Sequence, residues 1–245
     1  MLSAQSETPQ SRRVEPLAES GLRVVIDFDS VIARHDVGEH LLTRFAGDAW
    51  WELSDSYDRG AMSSLEATNA LFAHIADVPQ AALRAAACEV GIVSDAADAV
   101  GRLASSGVEV VIVSDGFGFY VPDAVAGWPV RIVCNDVDWA GRAMLFPHRG
   151  SGCSCQSCGS CAQAPVKVAR RQGCRTAVVS GSLADRKAIL VGDVAFARSR
   201  LASWCSDHGV AYVPFENLTS VADTLLGPDD RPDVIDMSMA RRDDV

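Results

Sequence analysis

The chain has 245 residues, 48% of them hydrophobic and 22% charged, enough apolar content to bury one core plus an insert and too much for a disordered or fibrous protein. Its 32 acidic and 22 basic residues give a formal net charge of −10. A general nucleic-acid binder is excluded, because phosphate backbones require clustered positive charge. The basic residues divide into 20 Arg and two Lys, Lys167 and Lys187, a bias that drains Arg counts of meaning and makes each Lys informative.

Residues 1–20 are polar and carry Glu7, Arg12, Arg13, Glu15 and Glu19 without an apolar stretch, so they read as a flexible tail rather than a signal peptide or anchor. No run approaches the roughly 18 apolar residues of a membrane span. A soluble, cytoplasmic protein without membrane contact is the expectation, and the sequence is silent on oligomeric state. Arg23 to Phe28 is a short β-branched run entering Asp27-Phe28-Asp29-Ser30, which predicts a buried strand ending at a polar turn. Helical spacing dominates from Asp36 to Ser106. It includes a helix from Trp50 and Trp51, a capping box at Ser63-Ser64-Leu65-Glu66, a helix start at Pro79 and a helix from Asp95 to Ser106 closed by Gly107.

A second continuous strand is predicted over Val108 to Val113, ending in Ser114-Asp115-Gly116. There follow a helix over Phe117 to Ala126, a strand over Val130 to Val133, a hairpin over Trp139 to Phe146 and a cysteine segment. Pro165 to Arg171 reads as a helix, Thr176 to Val179 as a strand, Leu183 to Leu190 as a helix, Val194 to Phe196 as a strand, Leu201 to His208 as a helix, and Ala211 to Val213 as a last strand. Six Asp and three Arg crowd the segment 227–245, which is expected to be a disordered acidic tail. Alternating strands and helices imply an α/β fold, a parallel sheet covered on both faces. The helical block after the first strand exceeds a simple crossover, so 34–106 is expected to be an inserted cap on a core of 21–33 and 107–226.

Ligands of open parallel sheets bind beyond the carboxyl ends of the strands, and three of these ends are polar: Asp27 and Asp29, Ser114 and Asp115, Ser180 and Gly181. Carboxylates at i and i+2 after a strand point the same way, although a lone Asp-x-Asp equally suits a solvated turn or helix cap.

Taken in order, Val-Val-Ile-Asp-Phe-Asp-Ser at 24–30, Ile-Val-Ser-Asp-Gly-Phe at 112–117, Lys167 and Ser-Gly-Ser-Leu-Ala-Asp-Arg at 180–186 resemble the haloacid dehalogenase superfamily of phosphohydrolases. Within it the chain resembles the phosphoserine phosphatase-like branch, most closely its 2-hydroxy-3-keto-5-methylthiopentenyl-1-phosphate phosphatases. The resemblance runs from about Arg23 to Leu225. It implies a Rossmann-like core, a small phosphorylated metabolite as partner, Asp27 as nucleophile and Asp29 as acid/base. Ser114, with Asp115 beside it, and Lys167 would bind phosphate, and Mg²⁺ would sit on the Asp27 carboxylate, the Asp29 main-chain carbonyl and Asp185.

The sequence departs from the family where Gly-Asp-Gly-x-Ser-Asp is usual, since Ser180-Gly181-Ser182-Leu183-Ala184-Asp185 puts Gly181 in place of a metal-binding carboxylate. Val31 stands where Thr is usual. A rival alignment takes Gly192-Asp193 as the missing pair, at the expense of the crossover before it. Two functional readings stay open, an active phosphatase and a catalytically impaired or repurposed homologue that binds a phosphorylated ligand or partner.

Cys153, Cys155, Cys158 and Cys161 fall within nine residues, poor geometry for long-range disulfides and a suitable donor set for structural Zn²⁺ in an insert over 148–162. His148 could replace one of them, and a local disulfide, a ligand-free loop or a redox or metal sensor are the alternatives. Cys88, Cys134, Cys174 and Cys205 read as core packing. Trp50, Trp51 and Phe72 read as the core of the cap rather than a stacking platform, and Glu39, Arg44 and Arg59 as its solvated face, with substrate contact as the alternative.

Overall fold

The computed structural model describes residues 21–154 and 156–227. The tail expected over 1–20, Cys155 and almost all of the acidic tail lie outside the described residues. The apolar runs form strands at β1 (Leu22–Asp27), β2 (Glu109–Ser114) and β3 (Arg131–Cys134). A small antiparallel hairpin, β4 (Asp136–Asp138) and β5 (Ala143–Leu145), precedes β6 (Arg175–Ser180), β7 (Val194–Ala197) and β8 (Val213–Pro214). Apart from the hairpin, all strands join one parallel sheet in the order β3-β2-β1-β6-β7-β8. The chain builds outward on one side of β1 and then on the other, so the switch point lies between β1 and β6, with Asp27 and Ser180 at the adjoining ends.

Strand alternation divides the core into two layers. Val24 and Ile26 face one layer with Val110, Ile112 and Val179; Val25 faces the other with Val111, Val113 and Val178. The first layer is covered by α5 (Ala96–Ser105) and by α10 (Leu218–Leu226), a helix past the last predicted element. The second is covered by α7 (Gln163–Arg171) and α9 (Ser199–Asp207), through Val166, Leu201 and Cys205. Arg23 is buried in β1 because its guanidinium donates to Glu109, to the Pro165 carbonyl and to Gln172 at 2.7–3.0 Å, which ties β1 and β2 to α7.

Between β1 and β2 lie α1 (Val37–Phe45), α2 (Trp51–Asp58), α3 (Ser64–Ala73) and α4 (Gln80–Val90), then α5. Asp36 caps α1, and the predicted capping box forms at α3, with Ser63 and Glu66 satisfying each other's backbone N–H groups. None of the described helices is long and apolar enough to cross a membrane.

Two predicted elements and one set of expected core residues differ. The helix expected over Phe117–Ala126 shrinks to one turn, α6 (Val121–Ala124), because Gly118 adopts φ +75° and ends any helix through it. The helix expected over Leu183–Leu190 splits into a 3₁₀ turn, Leu183–Asp185, and α8 (Arg186–Ile189). Of the scattered cysteines expected in the core, Cys205 is buried, while Cys88 is exposed.

Gly118 also packs its Cα against the backbone of Asn135, where an added Cβ would lie 2.0 Å from the carbonyl oxygen. Gly107 has a similar φ of +80° with nothing within 4 Å. Gly107→Ala is therefore expected to cost about 1–2 kcal/mol, the strain of the left-handed backbone alone. Gly118→Ala adds overpacking and should cost about 2–5 kcal/mol. Urea midpoints of the two variants measure the difference, and equal losses would show that the close approach to Asn135 sets no constraint.

Candidate active site

Beyond Asp27 the chain makes one wide helical turn, Phe28–Ile32, started by the Asp27 carboxylate accepting the Ser30 N–H at 2.8 Å. This turn folds Asp29 back beside Asp27. Asp29 Oδ2 accepts from the Ser114 hydroxyl at 2.7 Å, and Oδ1 accepts from Tyr120 Oη at 2.9 Å and from the Val37 N–H at 3.2 Å. From the β6 end, Ser180 Oγ donates to Asp185 Oδ2 at 2.7 Å, and the Gly181 N–H donates to Ser30 Oγ at 2.8 Å. Asp27, Asp29, Asp115 and Asp185 thus line one cavity of about 340 Å³, with Ser114 bonded to Asp29 behind its wall.

The electrostatics of this cavity are one-sided. Asp36, Glu39 and Asp58 join the four carboxyls, and Arg200, bonded to Asp58 at 2.9 Å, is the cationic residue in the lining. Burial pushes the Asp27 carboxyl up to about 8, aided by the neighbouring Asp185 and opposed by the Ser30 hydrogen bonds. Burial raises Asp29 well above the carboxylate range as well, with Asp36 and Asp27 adding to it and Ser114 and Tyr120 opposing. Asp115 and Asp185 are each raised to about 6, again chiefly by burial. Such a set binds protons until a cation replaces them.

Lys167 does not line this cavity. It lies in the second turn of α7, and its ammonium donates to Cys153 Sγ at 3.5 Å. Asp193 is also elsewhere, since its carboxylate accepts from the backbone and hydroxyl of Thr176 at the opposite end of β6, both at 2.8 Å. The Gly192-Asp193 alignment is thereby overturned. Beside Gly181 stands Arg198, which is held by the Ser30 carbonyl at 3.1 Å and lies over the Phe215 ring. A Cβ on Gly181 would meet Arg198 Cγ at 3.2 Å and Ser30 Cβ at 3.4 Å, so the space a carboxylate would need is partly filled. Asp27 and Asp185 still suit a hard cation, being two oxygen donors whose raised affinity for protons a metal ion would relieve.

In the cysteine segment, Cys153 and Cys161 are buried and gather with Cys158. Hydrogen bonding from Cys158 holds the Cys161 thiol down at about 5, against burial and with help from the Gln163 N–H and Cys153. Thiolate character of this kind suits a soft metal. Among the described residues, however, no three His, Cys, Asp or Glu side chains stand as a formed metal centre. The seven described cysteines are in no disulfide.

Sequence reasoning missed Tyr120 and Arg198. Tyr120 fell inside an expected helix whose breakdown at Gly118 turns its hydroxyl onto Asp29, and Arg198 was hidden among 20 arginines. Trp51, expected in the cap core, is half exposed, lines the cavity and stacks on the buried Trp50 at 4.0 Å. Glu39, expected on a solvated face, also lines it, while Arg44 and Arg59 pair with Glu89 and Asp55 at the surface.

No protein-family model matches the chain. It is 27% identical over 209 residues to a 2-hydroxy-3-keto-5-methylthiopentenyl-1-phosphate phosphatase of an Exiguobacterium strain, covering 83% of this chain and 97% of that protein. A protein of the same description from Bacillus velezensis is 25% identical, over 81% of this chain and 87% of its own. Among solved structures, the phosphoserine phosphatase of T. onnurineus superposes with a TM-score of 0.63 at 14% identity, covering 88% of this chain and 99% of that one. A haloacid dehalogenase family hydrolase from Salmonella enterica serovar Typhi gives 0.60 at 11% identity, over 75% of this chain and 63% of its own. With its parallel sheet, its switch-point carboxylates and these relatives along most of its length, the chain is similar to phosphatases of the haloacid dehalogenase superfamily, on the phosphoserine phosphatase-like branch.

Proposed function

We propose that the chain is a phosphohydrolase that removes phosphate from a small phosphorylated metabolite through a phosphorylated Asp27. The observation that carries this reading is the placement of Asp29 beside Asp27 at the switch point, fixed by two hydroxyls, Ser114 and Tyr120. The relatives described as phosphatases support it.

In the first step a carboxylate oxygen of Asp27 attacks phosphorus while the bond to the leaving oxygen breaks, and Asp29 gives that oxygen a proton. Burial raises the proton affinity of Asp29 and so favours its protonated form, the form a general acid needs. In the second step the Asp29 carboxylate takes a proton from water, which attacks phosphorus and frees Asp27. Ser114 and Tyr120 hold Asp29 in one orientation through both steps. The Asp27 carboxylate, the Asp29 main-chain carbonyl and Asp185 would hold Mg²⁺, whose chemistry there is to neutralise charge on Asp27 and the phosphoryl oxygens. The helices between β1 and β2 act as the cap, because α1, α2 and α3 supply the outer wall through Glu39, Trp51 and Thr68.

A second reading, a phosphate-binding homologue without turnover, is favoured by the placement of Lys167 away from the cavity and by Gly181. Steady-state hydrolysis of a broad phosphate-ester panel with Mg²⁺ separates the two. The phosphatase reading expects turnover by the wild type and a loss of at least about 10³-fold in Asp27→Asn, with about 10²–10⁴-fold in Asp29→Asn. A silent wild type whose activity appears on Gly181→Asp would establish the second reading instead.

We further propose that Cys153, Cys158 and Cys161, with Cys155 as the fourth thiol in the sequence, hold Zn²⁺. The gathered thiols and the low-lying Cys161 support it, and the reducing cytosol suits such a set. Metal analysis of the purified chain is expected to find one zinc per chain. The Cys158→Ser/Cys161→Ser variant should lose it and unfold at lower temperature. Wild-type protein free of metal after preparation with zinc would sink this assignment.

A further inference from the structure

We propose that Ser157–Cys161 works as a latch, through which occupancy of the cysteine cluster by metal sets the position of Asp115 and of the start of α3 in the cavity wall. The inference rests on the zinc reading of the cluster and is independent of whether the chain hydrolyses phosphate esters.

Two connections leave this short segment. The first runs to the β2 end. The Ser160 N–H donates to Asp115 Oδ1 at 2.8 Å, and Ser160 Oγ donates to Asn135 Oδ1 at 2.9 Å. Asn135 then donates through Nδ2 to the carbonyls of Asp115 and Gly116 at 3.1 and 2.7 Å. Ser160 and Asn135 are both buried, so no water competes for these groups and each lost bond would leave a buried polar atom unpaired. The second connection runs to the helical insert, where the Leu65 N–H donates to the Ser157 carbonyl at 3.1 Å. Asp115 closes the circuit, accepting from Ser64 Oγ with its carboxylate and from Thr68 Oγ1 with its carbonyl.

The latch has little slack. A Cβ on Gly159 would lie 2.3 Å from the Phe146 ring and 2.4 Å from Asn135 Oδ1, so the segment is pressed directly onto the asparagine. Gly159 and Ser160 lie between two proposed ligands, Cys158 and Cys161. Drawing these thiols around an ion therefore moves Ser160, and a shift of a few tenths of an ångström is enough to stretch bonds of 2.8–2.9 Å out of range. Ser160 and Asn135 are positioning residues, acting on Asp115 and Gly116.

Amide hydrogen exchange of the full chain, compared with Zn²⁺ and with a chelator, tests the latch without substrate or turnover. Zn²⁺ is expected to slow exchange at least about fivefold in 153–161, in 115–118 and in 64–68, the lower end of ordinary coupling between sites. In Ser160→Ala, which removes the hydroxyl bond to Asn135 and keeps the main-chain N–H bond to Asp115, the response of 115–118 should weaken, while 64–68, reached through Ser157, keeps its response. A change confined to 153–161, an even slowing that includes α9 and α10, or an unaltered response of 115–118 in Ser160→Ala would each overturn the proposal. Zinc retained by metal analysis with no transmitted slowing overturns the latch alone; a chain that binds no zinc sinks latch and zinc reading together.

Discussion

Carboxyl groups buried at the end of a parallel sheet without an equal number of cations are the constraint around which this molecule is arranged. An ionised carboxylate removed from water costs several kcal/mol unless charge or hydrogen bonds replace its hydration. Asp27, Asp29, Asp115 and Asp185 meet that demand in different ways. Asp29 and Asp115 are surrounded by donors, Asp27 has the Ser30 N–H, and Asp185 has one hydroxyl. Burial nevertheless raises all four. The fold tolerates this only because the switch point between β1 and β6 concentrates backbone N–H groups and serine hydroxyls where the carboxyls emerge.

The parts of the fold that a sequence displays are those with a strong local signal. β1, β2 and β6 are uninterrupted apolar runs, and the α3 capping box is a four-residue pattern that forms as written. The turn after β2 is different. Phe117 to Ala126 has helical composition, and the glycine within it is decided by the Asn135 backbone, a contact over 17 positions that no local pattern encodes. The same holds in the site. Asp27 and Asp29 are legible because the turn that joins them is local, and Tyr120 is not, because its hydroxyl reaches Asp29 from 91 positions away. Lys167 shows the opposite hazard. A rare residue near a motif draws attention, yet the direction of its side chain is set by the cysteine segment packed on α7.

Gly181 and Arg198 belong together physically. The volume beside Gly181 and Ser30 is occupied by the arginine stem, whose guanidinium holds the Ser30 carbonyl and attracts Asp27. A guanidinium is always charged and fixed in direction, whereas a divalent ion brings twice the charge and open coordination positions. Arg198 therefore steadies the turn after Asp27 without being able to collect phosphoryl oxygens and the carboxylate on one centre. Its own burial lowers its affinity for the proton, while Asp27 and Asp95 oppose that shift.

The acidity of the cavity also constrains the order of events. A phosphate ester entering among seven carboxyls and one paired arginine meets repulsion from every wall unless positive charge precedes it. Protons on Asp27, Asp115 and Asp185 reduce that repulsion, but a protonated Asp27 could not act as the proposed nucleophile. A cation resolves both conflicts, since it favours the ionised Asp27 and offsets the anion that Asp27 must approach. By linkage, the phosphate ester then raises the affinity of the site for the cation by the same factor as the cation raises affinity for the ester. On the proposed reading, a site with Gly181 would depend more heavily on this reciprocity, having one carboxylate fewer to hold the cation.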